Sequence, residues 1–172
     1  MSADNKISSS RQEKMVADYM GWKVVSGSGA RPFMPGDVSN SQWLVECKTH
    51  NTEQKNVVFR KTHWNKISKE ARSVNKYPVL VTDNGTQDKN ATWVMLPKRV
   101  INSDNINQIL NLVNTSTSGN TITFSNEDAL NLFNKYYYPN GINFFVDDFG
   151  DESLAILTLQ EFKKFYQEQF EC

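Results

Sequence analysis

Two short stretches decide the fold of this chain: PGD at residues 35–37 and WLVECK at residues 43–48. Side chains on a β-strand alternate between its two faces, so Glu46 and Lys48 point one way while the valine and cysteine beside them point the other way. The valine and cysteine suit a buried face, whereas two charged groups beside a sheet need compensation. The pattern therefore predicts a strand with one apolar face and one charged face.

A divalent cation would compensate the acidic groups of these stretches. Asp37 precedes Glu46 by nine residues, and the turn residues 40–41 between them predict a hairpin. Phosphodiester hydrolysis needs a cation and an activated water, and Mg²⁺ usually takes one or two carboxylates together with several waters. We therefore expect Asp37 and Glu46 to hold Mg²⁺, with Glu13 contributing through a water. Lys48 would orient or deprotonate the attacking water, or hold the developing charge.

Each of these residues also has a purely structural interpretation. An E-x-K triplet is common on a solvated strand, and Asp37 after Gly36 is explained as a turn acid. Glu13 is explained as the partner of Ser10 in a helix capping box. The order of the residues and the hydrophobic run before Glu46 favour the catalytic interpretation.

Hydrophobic periodicity predicts a mixed central β-sheet flanked by helices, an α/β (α+β) fold. The predicted elements are a helix that begins after Ser10 and stops at Gly21, strands over 22–25, 36–39, 42–48, 78–82 and 92–96, and a helix over 62–76 capped by Thr62.

Beyond residue 100 the pattern favours helices and loops. Helices are predicted over 106–113, after a Ser125 cap and after a Thr158 cap, with a polar loop over 114–120. We therefore expect residues 1–100 to form the core domain and residues 101–172 to form a mostly helical extension packed on it. The sequence gives no role for that extension.

Length and composition narrow the class of protein. The chain of 172 residues is long enough for one domain with a good core. It has no apolar run near the ~20 residues of a membrane span, and its first residues lack the apolar segment of a secretory signal. Cys47 and Cys172 make neither a disulfide framework nor a zinc set. We expect a cytoplasmic protein with no membrane partner.

The net charge of zero conceals an asymmetry. Residues 1–100 carry 16 Lys and Arg against 9 Asp and Glu, and residues 101–172 carry 3 against 10. A basic half that also holds the acids suits phosphate binding. The alternative is that the two halves attract each other.

Basic residues of the first half are candidate contacts to a phosphate backbone. They are Arg31, Arg60, Lys61, Lys66, Lys69 and Arg72. A solvated helix face is the alternative interpretation. His63 is interpreted as a surface residue.

In the order of these elements, residues 10–96 resemble the PD-(D/E)xK nuclease superfamily, and most of all Holliday junction resolvases of the archaeal and phage type. In that family a helical Glu is followed by a strand, a Gly/Ser loop, an Asp, an E-x-K strand, a helix and a Val-rich strand. The matching positions here are Glu13, Asp37, Glu46 and Lys48. The resemblance covers about half of the chain, and Gly36 separates the Pro and Asp that are adjacent in the family motif.

The resemblance implies a restriction-endonuclease-like core and a Mg²⁺-dependent endonuclease in which Mn²⁺ can substitute. It also implies a homodimer that acts on branched or duplex DNA in a bacterial or phage-infected host cell. The implied metal ligands are Asp37, Glu46 and the backbone carbonyl of Cys47, with Glu13 through water and Lys48 as the catalytic lysine. The family's loop serine corresponds to Ser28 or Ser26, and the candidate DNA contacts are Ser28, Arg31, Lys61, Lys66 and Lys69.

Two other functions remain open at this point. One is a restriction or repair nuclease that cuts plain duplex DNA. The other is a noncatalytic module of the same fold that binds DNA or a protein. The intact acids and lysine of the motif argue against the second alternative.

Overall fold

The computed structural model describes residues 3–26, 35–101, 116–135, 144–146 and 152–171. Its helices are α1 (Ala3–Met20), α2 (Lys61–Ser73), α3 (Asn126–Lys135) and α4 (Leu159–Phe170). Its strands are β1 (Lys23–Val24), β2 (Val38–Ser39), β3 (Trp43–Lys48), β4 (Asn56–Arg60), β5 (Tyr77–Asp83), β6 (Thr92–Pro97), β7 (Ser116–Ser118), β8 (Thr121–Ser125), β9 (Phe144–Val146) and β10 (Leu154–Thr158).

The strands form a mixed seven-stranded sheet and a smaller antiparallel sheet. The larger sheet has the order β1-β2-β3-β5-β6-β10-β9, and the smaller has the order β4-β8-β7. In the larger sheet β3 and β5 are parallel, with Glu46 opposite Leu80, whereas the other pairs are antiparallel. A parallel pair needs a crossover connection, and β4 with α2 supplies it between β3 and β5.

The central strands are buried on both faces, which explains their nearly continuous apolar sequences. On one face of the sheet, Val45 and Cys47 pack in a cluster with residues of α1 and α4. On the other face, Leu44 packs in a cluster with residues of α2, α3 and the smaller sheet. The alternation predicted for β3 is confirmed, and the charged side of this strand is the side that faces α2.

Helix α1 begins earlier than the sequence predicts. It spans Ala3–Met20, so Ser10 lies inside the helix and the predicted capping box with Glu13 is wrong. The reason is tertiary packing, because Ser8 and Gln12 are buried and extend the helix across the serine run. The predicted stop is confirmed, since Gly21 follows the helix with a φ of 73°.

Helix α2 also begins and ends before the predicted residues. Its N-cap is Arg60, which makes no side-chain cap hydrogen bond, so the predicted Thr62 cap is wrong. Arg60 is the last residue of β4 and pairs with Thr121 of β8, so the chain passes directly from a strand into the helix. At the other end Asn75 has a φ of 55°, which α-helical backbone does not allow.

The described part of residues 101–172 contains four strands in addition to α3 and α4, and the sequence predicts none of these strands. Strands β7 and β8 extend the sheet begun by β4, and β10 lies between β6 and β9 in the larger sheet. β10 is a short apolar run buried on both faces, which periodicity alone cannot distinguish from a helix segment. The predicted polar loop over 114–120 contains β7, and the predicted helix over 106–113 lies outside the described residues.

Other predicted features are confirmed. The hairpin pairs Val38 with Val45, and the apolar runs after α2 form β5 and β6. The Ser125 hydroxyl accepts a hydrogen bond from the backbone N–H of Asp128, and Thr158 caps α4. The fold is mixed α/β, as predicted. Among the helices that the structure describes, none combines the length and apolar character needed to cross a bilayer.

Candidate active site

Asp37 is fixed between β1 and β3 by main-chain hydrogen bonds. The N–H of Val25 donates to its carbonyl at 2.8 Å, and its own N–H donates to the carbonyl of Val45 at 2.7 Å. Its carboxylate Oδ2 accepts a hydrogen bond of 2.8 Å from the N–H of Cys47. Gly36 allows this close approach with a φ of 77°, because a Cβ there would press on the side chain of Leu44. Main-chain hydrogen bonds therefore hold Asp37 against β3, the motif strand that carries E-x-K, before any ligand binds.

Glu46 is buried in β3 and meets two ammonium groups. Lys48 Nζ lies 2.5 Å from Oε1, so the prediction that the two side chains share a face is confirmed. Lys66 Nζ on α2 donates to Oε1 at 2.9 Å and to Oε2 at 2.7 Å. Burial favours the neutral acid, but the hydrogen bonds and charges of Lys48 and then Lys66 outweigh it and lower the pKa of Glu46. Glu46 therefore stays ionised despite being buried.

Glu13 on α1 is the third acid of the site. Its side chain is half-buried, and its pKa is raised to about 7, first by burial and then by the negative charge of Asp37. Lys48 lowers this pKa and Glu46 raises it further, so Glu13 interacts electrostatically with all three other motif residues. The neighbouring Gln12 fixes α1 to the motif strand, since its Nε2 donates to the backbone carbonyl of Lys48 at 2.8 Å.

The structure thus brings the four predicted motif side chains, Glu13, Asp37, Glu46 and Lys48, into one electrostatic cluster. We call this set the acid cluster. Three elements supply it, because α1 brings Glu13, the segment before β2 brings Asp37, and β3 brings the E-x-K pair. The segment from Asp37 to Lys48 is held by the antiparallel register of β2 and β3.

Two further residues of α2, Lys66 and His63, lie near the acid cluster. Lys66, predicted to contact DNA, has a side chain about half exposed, and its ammonium group is bound to Glu46. His63 is half-buried rather than fully exposed, and burial followed by the charge of Lys48 lowers its pKa. The two are three residues apart on α2 and share one helix face. Helical spacing can group them, but only the packing of α2 on β3 reveals which face meets the acids.

The remaining predicted contacts lie elsewhere or outside the described residues. Lys61 and Lys69 are on α2 and line a groove that none of the acid cluster residues line. Ser26 is exposed in the turn after β1. Ser28 and Arg31 lie outside the described residues.

The acid cluster offers donor atoms that can be compared with the ligands a divalent cation needs. Within the described residues, no three His, Cys, Asp or Glu side chains form a group that could hold a metal ion. Mg²⁺ does not require three such groups, because two carboxylates, a backbone carbonyl and waters suffice. A carboxylate has about four acceptor positions, and the two lysines occupy both oxygens of Glu46. A cation near Asp37 and Glu13 would also relieve the repulsion that raises the pKa of Glu13. The three lysine contacts leave about one acceptor position on Glu46, so the residues fit a hard cation.

A comparison with family models, with curated proteins and with solved structures finds no match to this chain. The acid cluster combines a carboxylate fixed by main-chain bonds, a buried ionised glutamate and a lysine beside it.

Proposed function

We propose that this protein is a metal-dependent endodeoxyribonuclease that hydrolyses phosphodiester bonds and prefers branched DNA. The observation that carries the proposal is the acid cluster, in which Glu46 and Lys48 are paired, Asp37 is hydrogen-bonded to the main chain of β3, and Glu13 interacts electrostatically with all three. Acids with an adjacent ammonium group are the side chains that phosphodiester hydrolysis needs around a bound cation.

The order of the elements also supports the proposal. Helix α1, strands β1 to β3, helix α2 and strand β5 follow one another as the resemblance to PD-(D/E)xK nucleases implies, with the short β4 inserted before α2. Strands β1, β2, β3 and β5 are adjacent in the sheet in that order. A restriction-endonuclease-like core is therefore our proposal for residues 1–100. The preference for branched DNA, the twofold dimer and a cytoplasmic location in a bacterial or phage-infected host are further proposals from the same resemblance.

The residues of the acid cluster have distinct roles in the proposed reaction. Asp37, Glu46 and the carbonyl of Cys47 would hold Mg²⁺, or Mn²⁺ in its place, which supplies charge neutralisation at the phosphate and lowers the pKa of a bound water. Lys48 presents its ammonium group to the reacting phosphate and holds negative charge as it develops. Lys66 keeps Glu46 ionised and oriented from the α2 side. Glu13 would contribute through a water of the cation, from its place on α1 beside Asp37.

The proposal is tested by cleavage of a panel of DNA substrates. A four-way junction, a fork, a linear duplex and a single strand are incubated with the protein in Mg²⁺ and in EDTA. We expect the junction to be cut fastest and only with the metal. We expect Asp37→Asn and Lys48→Ala to abolish cutting while DNA binding persists.

Matched controls for these variants are Asp18→Asn and Lys55→Ala, which make the same changes at exposed positions outside the acid cluster. Both controls should cleave at the wild-type rate. Unchanged cleavage by the Asp37 and Lys48 variants would contradict the assignment of the site. Equal cutting of junction and linear duplex would instead favour a restriction or repair nuclease.

One observation favours a noncatalytic binding module as the second candidate. The carboxylate of Glu46 is already neutralised by Lys48 and Lys66, so the cluster has a stable arrangement built from its own side chains. Calorimetric titration with Mg²⁺ and Mn²⁺ distinguishes the two functions. Binding that Asp37→Asn weakens supports the nuclease, whereas no binding in the millimolar range supports the module.

A further inference from the structure

Helix α2 carries a second polar face besides the one that meets the acid cluster. This face lines a groove of about 320 Å³. The groove is lined by Lys61, Trp64, Asn65, Ser68, Lys69 and Arg72 of α2 and by Glu152. Arg72 follows Lys66 by six residues, so the two side chains point about 120° apart around the helix. The groove is therefore a site separate from the acid cluster.

The groove is rich in positive charge that the protein does not neutralise. Lys61, Lys69 and Arg72 make no ion pair and no side-chain hydrogen bond in the part of the chain that the structure describes. The single acid of the lining, Glu152, is bound through Oε2 to Nε of Arg99 at 2.9 Å. Cations that line a concavity without a partner attract an anionic ligand.

The length of the groove indicates which anion it fits. Lys61 and Arg72 are eleven residues apart and lie at nearly the same angle around α2, about 16 Å apart along its axis. A single phosphate is much shorter than this row of backbone positions. One strand of DNA rises about 3.4 Å per base step, so the row of cations matches about four to five steps of backbone. Asn65 and Ser68 between them supply neutral hydrogen-bond donors of the kind that contact phosphate oxygens.

We propose that this groove binds an extended stretch of DNA backbone outside the scissile phosphate. The inference rests on the proposed nuclease function, since it describes a flank of the same substrate. Contacts of this kind are independent of base sequence, so the groove adds affinity and fixes the position of the strand without reading bases. The substrate must then extend past the cleavage position by several nucleotides on the side of α2.

The inference is tested by DNA binding in metal-free buffer with the full-length chain. The double variant Lys61→Gln, Arg72→Gln removes two charges from the groove without touching the acid cluster. We expect its affinity for a labelled duplex to fall at least several-fold, measured by fluorescence anisotropy. We also expect the slope of log K against log salt to become shallower by about 1 to 2, since each lost phosphate contact removes about one unit.

The matched control removes two charges from the opposite face of the larger sheet. Lys14→Gln with Lys164→Gln changes exposed lysines on α1 and α4, and this variant should keep the wild-type affinity and salt slope. Circular dichroism and urea unfolding should show that both double variants fold as the wild type does. Equal loss of affinity in groove and control variants would overturn the inference, because it would indicate general charge rather than a site.

Four-way junctions with one arm shortened at a time give a second measurement, because the branch point fixes the register of contacts that do not read bases. Once the flank that reaches the groove is removed, the wild type and the groove variant should bind equally. A constant ratio of affinities at every length overturns the inference even if the nuclease is confirmed. Conversely, a wild-type chain that binds DNA through the groove but cuts none overturns the nuclease proposal and leaves the groove standing.

Discussion

At the residue scale, Glu46 is the buried carboxylate of the acid cluster, and it is paired with two ammonium groups. Glu46 accepts from Lys48 on its own strand and from Lys66 on α2. Taking a carboxylate out of water is expensive unless it is paired, and here two partners from different elements share the compensation. The pairing also joins α2 to β3 through a direct ion pair.

A prediction about pH follows from Glu13. Its pKa in the folded protein is about 7 against an ordinary value of 4.5. As pH rises through this window the folded state keeps a proton that the unfolded state has released, so the free energy of unfolding falls. Gln at this position cannot ionise. We therefore expect Glu13→Gln to gain stability over the wild type between pH 5 and pH 8, by about 1 kcal/mol after discounting for solvent screening.

Urea unfolding at pH 5 and at pH 8 measures this difference. The control is Glu53→Gln, the same change at an exposed position, which should shift stability equally at both values. A Glu13→Gln variant whose advantage does not grow with pH would show that the acid ionises normally in the fold.

The order of the residues and elements, with the resemblance that it carries, was enough to predict that the four side chains of the acid cluster lie together. It could not predict Gln12, whose buried amide donates to Lys48, because nothing in a helix sequence states which neighbour its polar residue contacts. The contact of Lys66 with Glu46 could not be predicted either. A basic helix face has the same sequence pattern whether it meets solvent, DNA or a buried acid. Both contacts are set by how helices pack on β3.

At the element scale, the loop after β5 depends on a glycine. Gly85 has a φ of 93°, and a Cβ there would overlap the backbone carbonyl of Thr52. The N–H of Gly85 also donates to Oδ1 of the buried Asp83 at 2.7 Å. We expect Gly85→Ala to lower the free energy of unfolding by about 2 to 4 kcal/mol, because both the backbone angle and the space oppose a side chain.

Gly21→Ala is the control for this prediction. Gly21 also has a positive φ, 73°, but a Cβ there meets no atom within 4 Å. We expect Gly21→Ala to lower the free energy of unfolding by only about 1 kcal/mol, the cost of placing a side chain at a positive φ. Equal losses for the two variants in urea unfolding would show that the contact with Thr52 adds nothing.

Elements were predictable where the local pattern was long or strongly apolar. The hairpin, β5 and β6 carry such patterns, and the Thr158 cap of α4 has the expected side-chain signal. Strand β4 was missed, although its alternate residues are buried, because five residues beside a predicted helix give too short a signal. Helix starts were misplaced where a strand or a buried face, rather than a cap residue, sets the boundary.

At the scale of the whole molecule, the C-terminal residues complete the core. Strand β10 pairs with β6 from Leu154↔Pro97 to Thr158↔Trp93, and α4 covers the apolar face of the motif strand. Phe162 stands edge-on to both Trp22 and Trp43 at centroid distances of 6.0 and 5.4 Å. The sequence could not predict this, because the strand that joins the sheet lies more than fifty residues after its partner.

We therefore expect Phe162→Ala to destabilise the whole chain by about 3 to 5 kcal/mol in one cooperative transition. Phe165 lies three residues along the same helix and is only partly buried. Phe165→Ala should therefore lower the free energy of unfolding clearly less than Phe162→Ala does. Tryptophan fluorescence and far-ultraviolet circular dichroism recorded through urea unfolding check both. A separate early transition, with the midpoint of the main one unchanged, would mean that the C-terminal residues form an independent unit.

The charge asymmetry of the chain also belongs to this scale. Arg99 and Glu152 form an ion pair between the basic and acidic halves, as expected if the halves attract each other. Lys61, Lys69 and Arg72 instead line the groove beside α2. The asymmetry therefore contributes both to internal contacts and to a positively charged surface.

The hydrogen bond from the N–H of Cys47 to Asp37 has a consequence for sequence divergence. The group that orients the acid belongs to the main chain, so the thiol contributes only its bulk to the apolar layer beneath. Valine or alanine at that position would leave the orientation intact, whereas proline, which lacks the donor, would not. We therefore expect the position of Cys47, between the Glu and Lys of E-x-K, to accept other small apolar residues.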